Sequence, residues 1–341
     1  MALAQEELCF TDLDAPGLGR RRAGRGFSFI DTGGGAVRES ERLARLRALA
    51  IPPAWTGVWI CPRAEGHIQA VGYDARGRRQ YLYHPDYRAA REEAKFEHIL
   101  AFAKVLPRLR RQIARDLAGP LHSRARVMAG VVSLLETSLI RVGSEAYAKD
   151  NGSFGLTTLR QRHVKVEGEA LRFHFTGKSG RVWRLTLRDR RVAGVVRRCQ
   201  ELPGQQLFQY LDHAGERQSI TSADINAYLK EASGAPITAK DFRTWAGTVL
   251  AGVMLAETET PTSLSAARRS LTKVVGKVAA RLGNTVAVCR RSYIHPELVR
   301  AHLDGGLVLD RGAGGRAGLK AEEAAVLAFL LGRLGEGSDP S

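Results

Sequence analysis

A change of hydrophobic period near Tyr87 divides this 341-residue chain into two kinds of structure. Upstream, FSFIDT, GVWICP, HIQAVGYD and RQYLYH are short aromatic and β-branched runs separated by Gly, Pro and Asp turn signals, the pattern of a small antiparallel sheet. One helix, from Ser40 to Ala50, is inserted among them. Downstream, REEAKFEHILAFAKVL carries Phe96, Ile99, Leu100 and Ala103 at helical spacing, and Pro107 is expected to restart or kink that run. The fold class this implies is α+β: a β-sheet N-terminal domain followed by a mainly α-helical domain containing a small sheet or hairpin. The boundaries are drawn at 1–26 for a flexible basic arm ending in GRRRAGRG, 27–88 for the β-rich domain and 89–335 for the helical one.

Within the helical part, a helix from Arg126 to Ile140 shows Val127, Val131, Leu134, Leu135 and Leu139 on one face, with Gly143 just past its end. Arg141 therefore lies near a helix C-terminus, where its charge also complements the dipole. The clear β region of this half follows, with Leu171, Phe173 and Phe175 alternating against Arg172 and His174, then TGKSG as the turn, then Val182 to Leu187. Lys178 sits at that tip. The remaining chain reads as helical. Thr221 with Asp224, and Thr238 with Asp241, have capping-box spacing. The second box puts Lys240 and Arg243 early in a helix, against the dipole, an arrangement that something anionic nearby would explain. A basic helix closes at Gly283, and Thr285 can cap a short helix leading to Tyr293. The terminal run AEEAAVLAFLLGRL is expected to pack on the core.

The formal charge of +17 and isoelectric point near 10.2 favour an extended polyanion as partner, because Lys and Arg release condensed counterions when they neutralise phosphates. From Arg141 to Gln200 there are 14 Lys and Arg against 5 Asp and Glu, which concentrates this charge around the first two candidate residues. Cys9, Cys61, Cys199 and Cys289 lie far apart and form no C-x-x-C pair, so neither a zinc site nor a disulfide framework is indicated. The acidic N-terminus MALAQEELCF lacks the features of a signal peptide, and no membrane-length apolar run is visible. A reduced, cytoplasmic protein with an extended polyanion as partner and no membrane attachment is expected. Two guanidiniums (Arg141, Arg243), one ammonium (Lys178) and one amide (Asn284) could surround a phosphodiester while Tyr293 attacks it. That chemistry calls for no metal and no cofactor.

The strings GRRQYLYH, SLIRVGSEAYAKDNGSFGLTTL, FTGKSG, TAKDFRTWAGT and LGNTVAVCRRSYIHP, in this order and spacing, make the chain resemble the compact type IB DNA topoisomerases of poxviruses and bacteria, most closely the Deinococcus type. The resemblance covers nearly everything beyond the N-terminal arm. It implies a tyrosine recombinase/topoisomerase IB-like catalytic domain that, with the β-rich domain, clamps duplex DNA. It also implies relaxation of positive and negative supercoils through a 3′-phosphotyrosyl intermediate, strand rotation and religation, without ATP. By position Tyr293 is then the nucleophile, Arg141 and Arg243 hold the nonbridging oxygens, and Lys178 is the general acid. Asn284 stands where many relatives have histidine; an amide can donate a hydrogen bond there but cannot carry a proton or a charge.

The resemblance also points to Gln80, Tyr81, Tyr83 and Tyr147 as DNA contacts, and Lys240 lies beside Arg243. Ser144 and Ala146 depart from the basic residues that the poxvirus enzymes carry there. Two rival readings use the same residues. A tyrosine site-specific recombinase shares the Arg, Lys, Arg and Tyr chemistry, but here KDFR replaces the usual H-x-x-R and the N-terminal part reads as a sheet. A non-catalytic architectural DNA-binding protein would explain the charge and leave the five-residue set a coincidence.

Overall fold

The computed structural model describes residues 8–259, 261–310, 312 and 318–336. They form a mixed α+β fold whose chain divides into two compact units, Met1–Lys95 and Phe96–Ser341. Among these residues no helix is long and apolar enough to cross a membrane.

The first unit is a five-stranded antiparallel sheet in the order β2-β1-β3-β4-β5. Its strands are β1 (Leu18–Ala23), β2 (Gly26–Ile30), β3 (Thr56–Ile60), β4 (Ile68–Tyr73) and β5 (Arg79–Tyr83), with α1 (Ser40–Ala48) between β2 and β3. Leu18, Phe29, Leu46, Ile60 and Ala70 share its core. The expected flexible arm is corrected here, since its last part is an interior strand. β1 pairs with both β2 and β3, and Leu18 is 1% exposed. The Gly- and Arg-rich string hides two structural duties. Gly24 opens the two-residue turn between β1 and β2 with φ +56°, a conformation glycine adopts without a Cβ clash. Arg20 donates to the carbonyls of Ile51 (2.7 Å), Pro52 (2.9 Å) and Trp55 (3.0 Å), so it fastens a loop to the sheet. Residues 1–7 lie outside the described residues.

The second unit gathers most of its helices on one core. Buried side chains of α2 (Pro85–Leu117) from Phe96 onward pack with α3 (Arg124–Ser138), α5 (Arg190–Glu201), α6 (Ser222–Ser233), α7 (Ala239–Ala256) and α11 (Ala321–Glu336). Phe102 meets Phe242 edge to face at 5.0 Å. Pro107 does not restart the run: α2 continues through it, with Leu106 and Leu109 buried on either side. A three-stranded antiparallel sheet, β6 (Val164–Glu167), β7 (Ala170–Thr176) and β8 (Val182–Arg188), buries Leu171, Phe173, Phe175 and Trp183 on one face. α4 (Glu145–Asn151) precedes it. A second cluster joins α7 to α8 (Leu264–Leu282), α9 (Val286–Tyr293) and α10 (Pro296–Leu303).

Local signals were reliable where both partners are near in sequence. Thr221 and Asp224 cap α6 reciprocally, Asp241 Oδ2 accepts from the Thr238 amide (2.7 Å), and Gly283 ends α8 with φ +68°. Two expectations fail. α3 ends at Leu139, which itself takes φ +59°, and Gly143 is not its cap. The stretch after β8 is not wholly helical: β9 (Gln209–Leu211) and β10 (Arg217–Ser219) form a hairpin closed by Asp212 Oδ1, which accepts from the amides of Ala214 and Glu216. The terminal helix does pack on the core through Val326, Leu327 and Leu330.

Because β1 is interior, Leu18→Ala should lower the unfolding free energy of the first unit by about 2–4 kcal/mol, as core leucine truncations do. Urea titration followed by the fluorescence of Trp55 and Trp59 measures it. A change under about 0.5 kcal/mol, the size of a surface substitution, would return this segment to the status of an arm.

Candidate active site

Two helix ends build the site around Arg243. This residue begins the second turn of α7 and is only 3% exposed, an expensive place for a guanidinium. Its Nη1 donates to the carbonyl of Leu139 and its Nη2 to that of Leu282 (2.7 Å), the terminal carbonyls of α3 and α8. The negative ends of two other helices thus offset the unfavourable position near the start of its own. Burial and the nearby Arg141 push Arg243 down to about 10, with the Tyr293 hydroxyl opposing them. It stays cationic at neutral pH. Its Nε is buried without a partner among the described residues, and its Cζ lies 5.4 Å from the centre of the Tyr293 ring.

Arg141 follows α3 in an extended segment that is held by the backbone opposite. The amide of Leu156 donates to the Arg141 carbonyl (2.9 Å) and that of Thr157 to the Val142 carbonyl (2.8 Å). The strands approach so closely that a Cβ on Gly155 would lie 2.6 Å from the Arg141 oxygen, so only glycine fits there. Arg141 Nη2 donates to the carbonyl of Gly283 (3.3 Å) and to Asn284 Oδ1. Burial, with Arg181 adding to it, holds Arg141 below the ordinary guanidinium value despite the opposing Tyr293 hydroxyl. Asn284 Nδ2 is buried and has no acceptor among the described residues. The amide oxygen is thereby spent on Arg141 while the amide nitrogen remains an available donor.

Tyr293 closes α9 and is half-buried. Thr248 Oγ1 donates to its carbonyl (3.3 Å), and Gly247 makes room for it, since a Cβ there would sit 2.6 Å from that same oxygen. Lys178 occupies the exposed turn between β7 and β8, with Nζ 5.6 Å from the centre of the Tyr147 ring. Arg141, Lys178, Arg243 and Tyr293 line one cleft of about 280 Å³, together with Tyr147 and Lys240; Asn284 stands beside it through Arg141. The cleft has cations for a phosphate, a hydroxyl nucleophile and an exposed ammonium, which is the equipment for phosphoryl transfer to tyrosine.

In the first unit, Tyr81 and Tyr83 are exposed on one face of β5, stacked at 6.1 Å, with Tyr83 against Tyr87 at 5.6 Å. Gln80 alternates away from them, and its Nε2 donates to Asp74 Oδ2 (2.9 Å), so the three do not share one face. Sequence reasoning missed Gly155, Gly247 and Arg181 as parts of the site. A glycine inside a strong helical pattern, such as Gly247 in α7, costs about 1 kcal/mol relative to Ala, and that cost is itself a sign of close backbone approach.

Residues 84–302 match the family model for the catalytic core of eukaryotic DNA topoisomerase I, and residues 26–74 that for the N-terminal domain of bacterial DNA topoisomerase IB. DNA topoisomerase 1B of Acanthamoeba polyphaga mimivirus is 31% identical over 285 residues, covering 82% of this chain and 85% of the viral one. DNA topoisomerase 1 of rabbit fibroma virus is 31% identical over 109 residues, and DNA topoisomerase 1B of vaccinia virus (strain Copenhagen) 30% over 112, each spanning 32% of this chain and 34% of its own. The chain belongs to the type IB DNA topoisomerases, broadly of the poxvirus and bacterial kind. It is a type I DNA topoisomerase, an isomerase that acts on duplex DNA, and the mechanism at family level is relaxation through a phosphotyrosine intermediate.

Two substitutions separate support from chemistry. Arg243→Ala strips the donors from two buried carbonyls, each worth about 1–3 kcal/mol, and should lower stability by about 2–6 kcal/mol in urea as well as abolish cleavage. Gly247→Ala pushes on the Tyr293 backbone. Misplacing a reacting group by 1 Å costs on the order of 100-fold, so cleavage by this variant should fall about that much while its circular dichroism stays native.

Proposed function

We propose that Tyr293 is the nucleophile of a topoisomerase IB reaction carried out by Arg141, Lys178, Arg243 and Asn284. The single observation that supports this reading is the shared cleft, in which four of these residues meet from segments spread over about 150 positions. The Tyr293 hydroxyl loses its proton to solvent water as its oxygen bonds to a backbone phosphorus, the bond from phosphorus to the 5′-oxygen breaks, and the Lys178 ammonium gives its proton to that oxygen. One strand then carries a 3′-phosphotyrosyl enzyme and a free 5′-hydroxyl. Arg141 and Arg243 grip the nonbridging oxygens, as permanently charged bidentate donors do well. The phosphate also supplies the anion that the buried Arg243 lacks. Asn284 donates its spare amide hydrogen to a phosphate oxygen and transfers no proton.

The covalent bond retains the energy of the phosphodiester, so religation by the reverse path needs no ATP. Rotation about the intact strand between the two steps relaxes supercoils of either sign. Cationic side chains carry the electrostatic load, and no metal is obligatory. Tyr147 and Lys240 at the cleft, and Tyr81 and Tyr83 on β5, contact the duplex, with Gln80 reaching it only if it leaves Asp74. The enzyme acts as a monomer, of the compact bacterial Deinococcus type, on nucleoid DNA in the cytoplasm; the strings around Tyr83, Arg141, Lys178 and Tyr293 support this placement.

Supercoiled plasmid incubated with the protein in EDTA and without ATP should relax, and Tyr293→Phe should abolish relaxation. Relaxation that survives the substitution would remove Tyr293 from the reaction. Lys178→Ala should slow cleavage by about 10²–10⁴-fold, the usual contribution of a general acid. A substrate with sulfur at the 5′-bridging position, whose thiolate leaves without a proton, should restore most of that loss. If sulfur restores nothing, Lys178 is not the acid.

A further inference from the structure

The lysine hairpin is fastened to the rest of the site by one residue that the chemistry above does not use. Arg181 ends the turn that carries Lys178, and its carbonyl accepts from the Gly177 amide (2.7 Å) to close that turn. Its side chain leaves the hairpin and donates from Nη2 to the carbonyl of Ala280 (2.6 Å) in the last turn of α8. On the way its Cζ lies 5.3 Å from the Trp183 ring. It also passes so close to Gly283 that a Cβ there would stand 3.0 Å from Arg181 Cδ and 3.1 Å from Nε. The Ala280 carbonyl also accepts from the Gly283 amide (3.3 Å), so Arg181 adds a second donor to a carbonyl at the end of α8, where intrahelical donors run out.

The anchoring point matters because the same helix end holds the other side of the site. The Asn284 amide donates to the Ala279 carbonyl (3.0 Å), and Arg141 reaches the Gly283 carbonyl and Asn284 Oδ1. Arg243 takes the Leu282 carbonyl. Three separate segments, carrying Arg141, Lys178 and Arg243, are therefore registered on residues 279–284, and Arg181 is what registers the hairpin there. Without it, the hairpin keeps the Phe154 amide on the Thr176 carbonyl (2.8 Å) at its base, and the tip beyond has its own geometry, which includes Ser179 at φ +63° and Gly180 at φ +76°. A two-stranded tip of this kind samples many positions, whereas proton transfer to a leaving oxygen requires Nζ within about 3.2 Å of it.

We infer that Arg181 is a positioning residue for the general acid: its bond to the end of α8 sets where Lys178 stands relative to the phosphate gripped by Arg141 and Arg243. The inference rests on Lys178 being the acid. Arg181 touches neither the nucleophile nor the scissile oxygens in this role, and its effect is confined to the step in which Lys178 gives up its proton. The glycine at 283 belongs to the same device, since any larger residue would displace the Arg181 stem.

Single-turnover cleavage of a duplex oligonucleotide by the full chain, with oxygen or sulfur at the 5′-bridging position, tests this. Arg181→Ala should lose on the order of 10–100-fold on the oxygen substrate, the cost of a misplaced group, and lie within about 3-fold of the native protein on the sulfur one. Arg181→Met keeps the aliphatic stem against Trp183 and Gly283 while removing the donor; it should show the same split, and it decides the matter if the alanine variant does not fold. Arg181→Lys, which can still reach a carbonyl, should recover part of the oxygen rate. Equal losses on both substrates would mean that Arg181 binds DNA or supports the fold generally, and no loss on oxygen would mean that the bond positions nothing; either overturns the inference. Lys178→Ala runs beside them. If sulfur fails to rescue it, the assignment of the acid falls; if sulfur rescues Lys178→Ala but not Arg181→Met, only the positioning role falls.

Discussion

The guanidinium of Arg243 is the junction on which the catalytic unit depends. It is buried, it lies near the electrostatically wrong end of its own helix, and it is tolerated because the carbonyl ends of α3 and α8 converge on it. Removing those ends would leave a desolvated charge, and removing the charge would leave two desolvated carbonyls. Each part holds the others to one geometry. The elements joined this way carry Arg141 just beyond α3 and Asn284 just beyond α8, so a contact that organises the core also organises the chemistry. The cation remains partly uncompensated, with Nε unpaired among the described residues, and a phosphate dianion or diester is the ligand that would relieve it.

Close backbone approach is the second constraint. Gly155 lets the 3-10 turn that follows it, Leu156–Thr158, lie against Arg141, Gly247 lets the end of α9 lie against α7, and Gly283 admits Arg181 beside the end of α8. At each of these places a Cβ would lie 2.5–3.0 Å from its nearest neighbouring atom. Tyr293, Arg141 and the lysine hairpin are thus each seated through a missing side chain. Rigid seating suits an enzyme whose work is electrostatic, because preorganised donors stabilise charge at phosphorus without reorganising during the reaction.

What could be read in the chain before its structure was known shared one property, that cause and effect lay within a few residues. The capping boxes at Thr221 and Thr238, the end of α8 at Gly283 and the alternation of Leu171, Phe173 and Phe175 are of this kind. Readings failed where a distant partner overruled the local pattern. Arg20 and Leu18 sit in a string with the composition of a tail, yet a loop around Ile51 and a strand at Ile60 recruit them into the sheet. Leu139, four residues before Gly143, takes the left-handed conformation that ends α3, and its carbonyl accepts from Arg243. Gln80 was grouped with Tyr81 and Tyr83 by resemblance, and strand alternation with the Asp74 turn separates it.

The amino-acid order alone determined the two-part α+β architecture, the capped starts of α6 and α7, the end of α8 and the chemical identities of Arg141, Lys178, Arg243, Asn284 and Tyr293, because periodicity, capping and functional-group chemistry are local properties. The tertiary structure decided which of them meet and what holds them. Arg243 finds Leu139 across 104 positions, Arg181 finds Ala280 across 99, and Arg141 finds Asn284 across 143. No periodicity encodes such pairings. They follow from where packed helices happen to end, and a carbonyl at a helix end becomes a binding site only when another chain segment is brought to it.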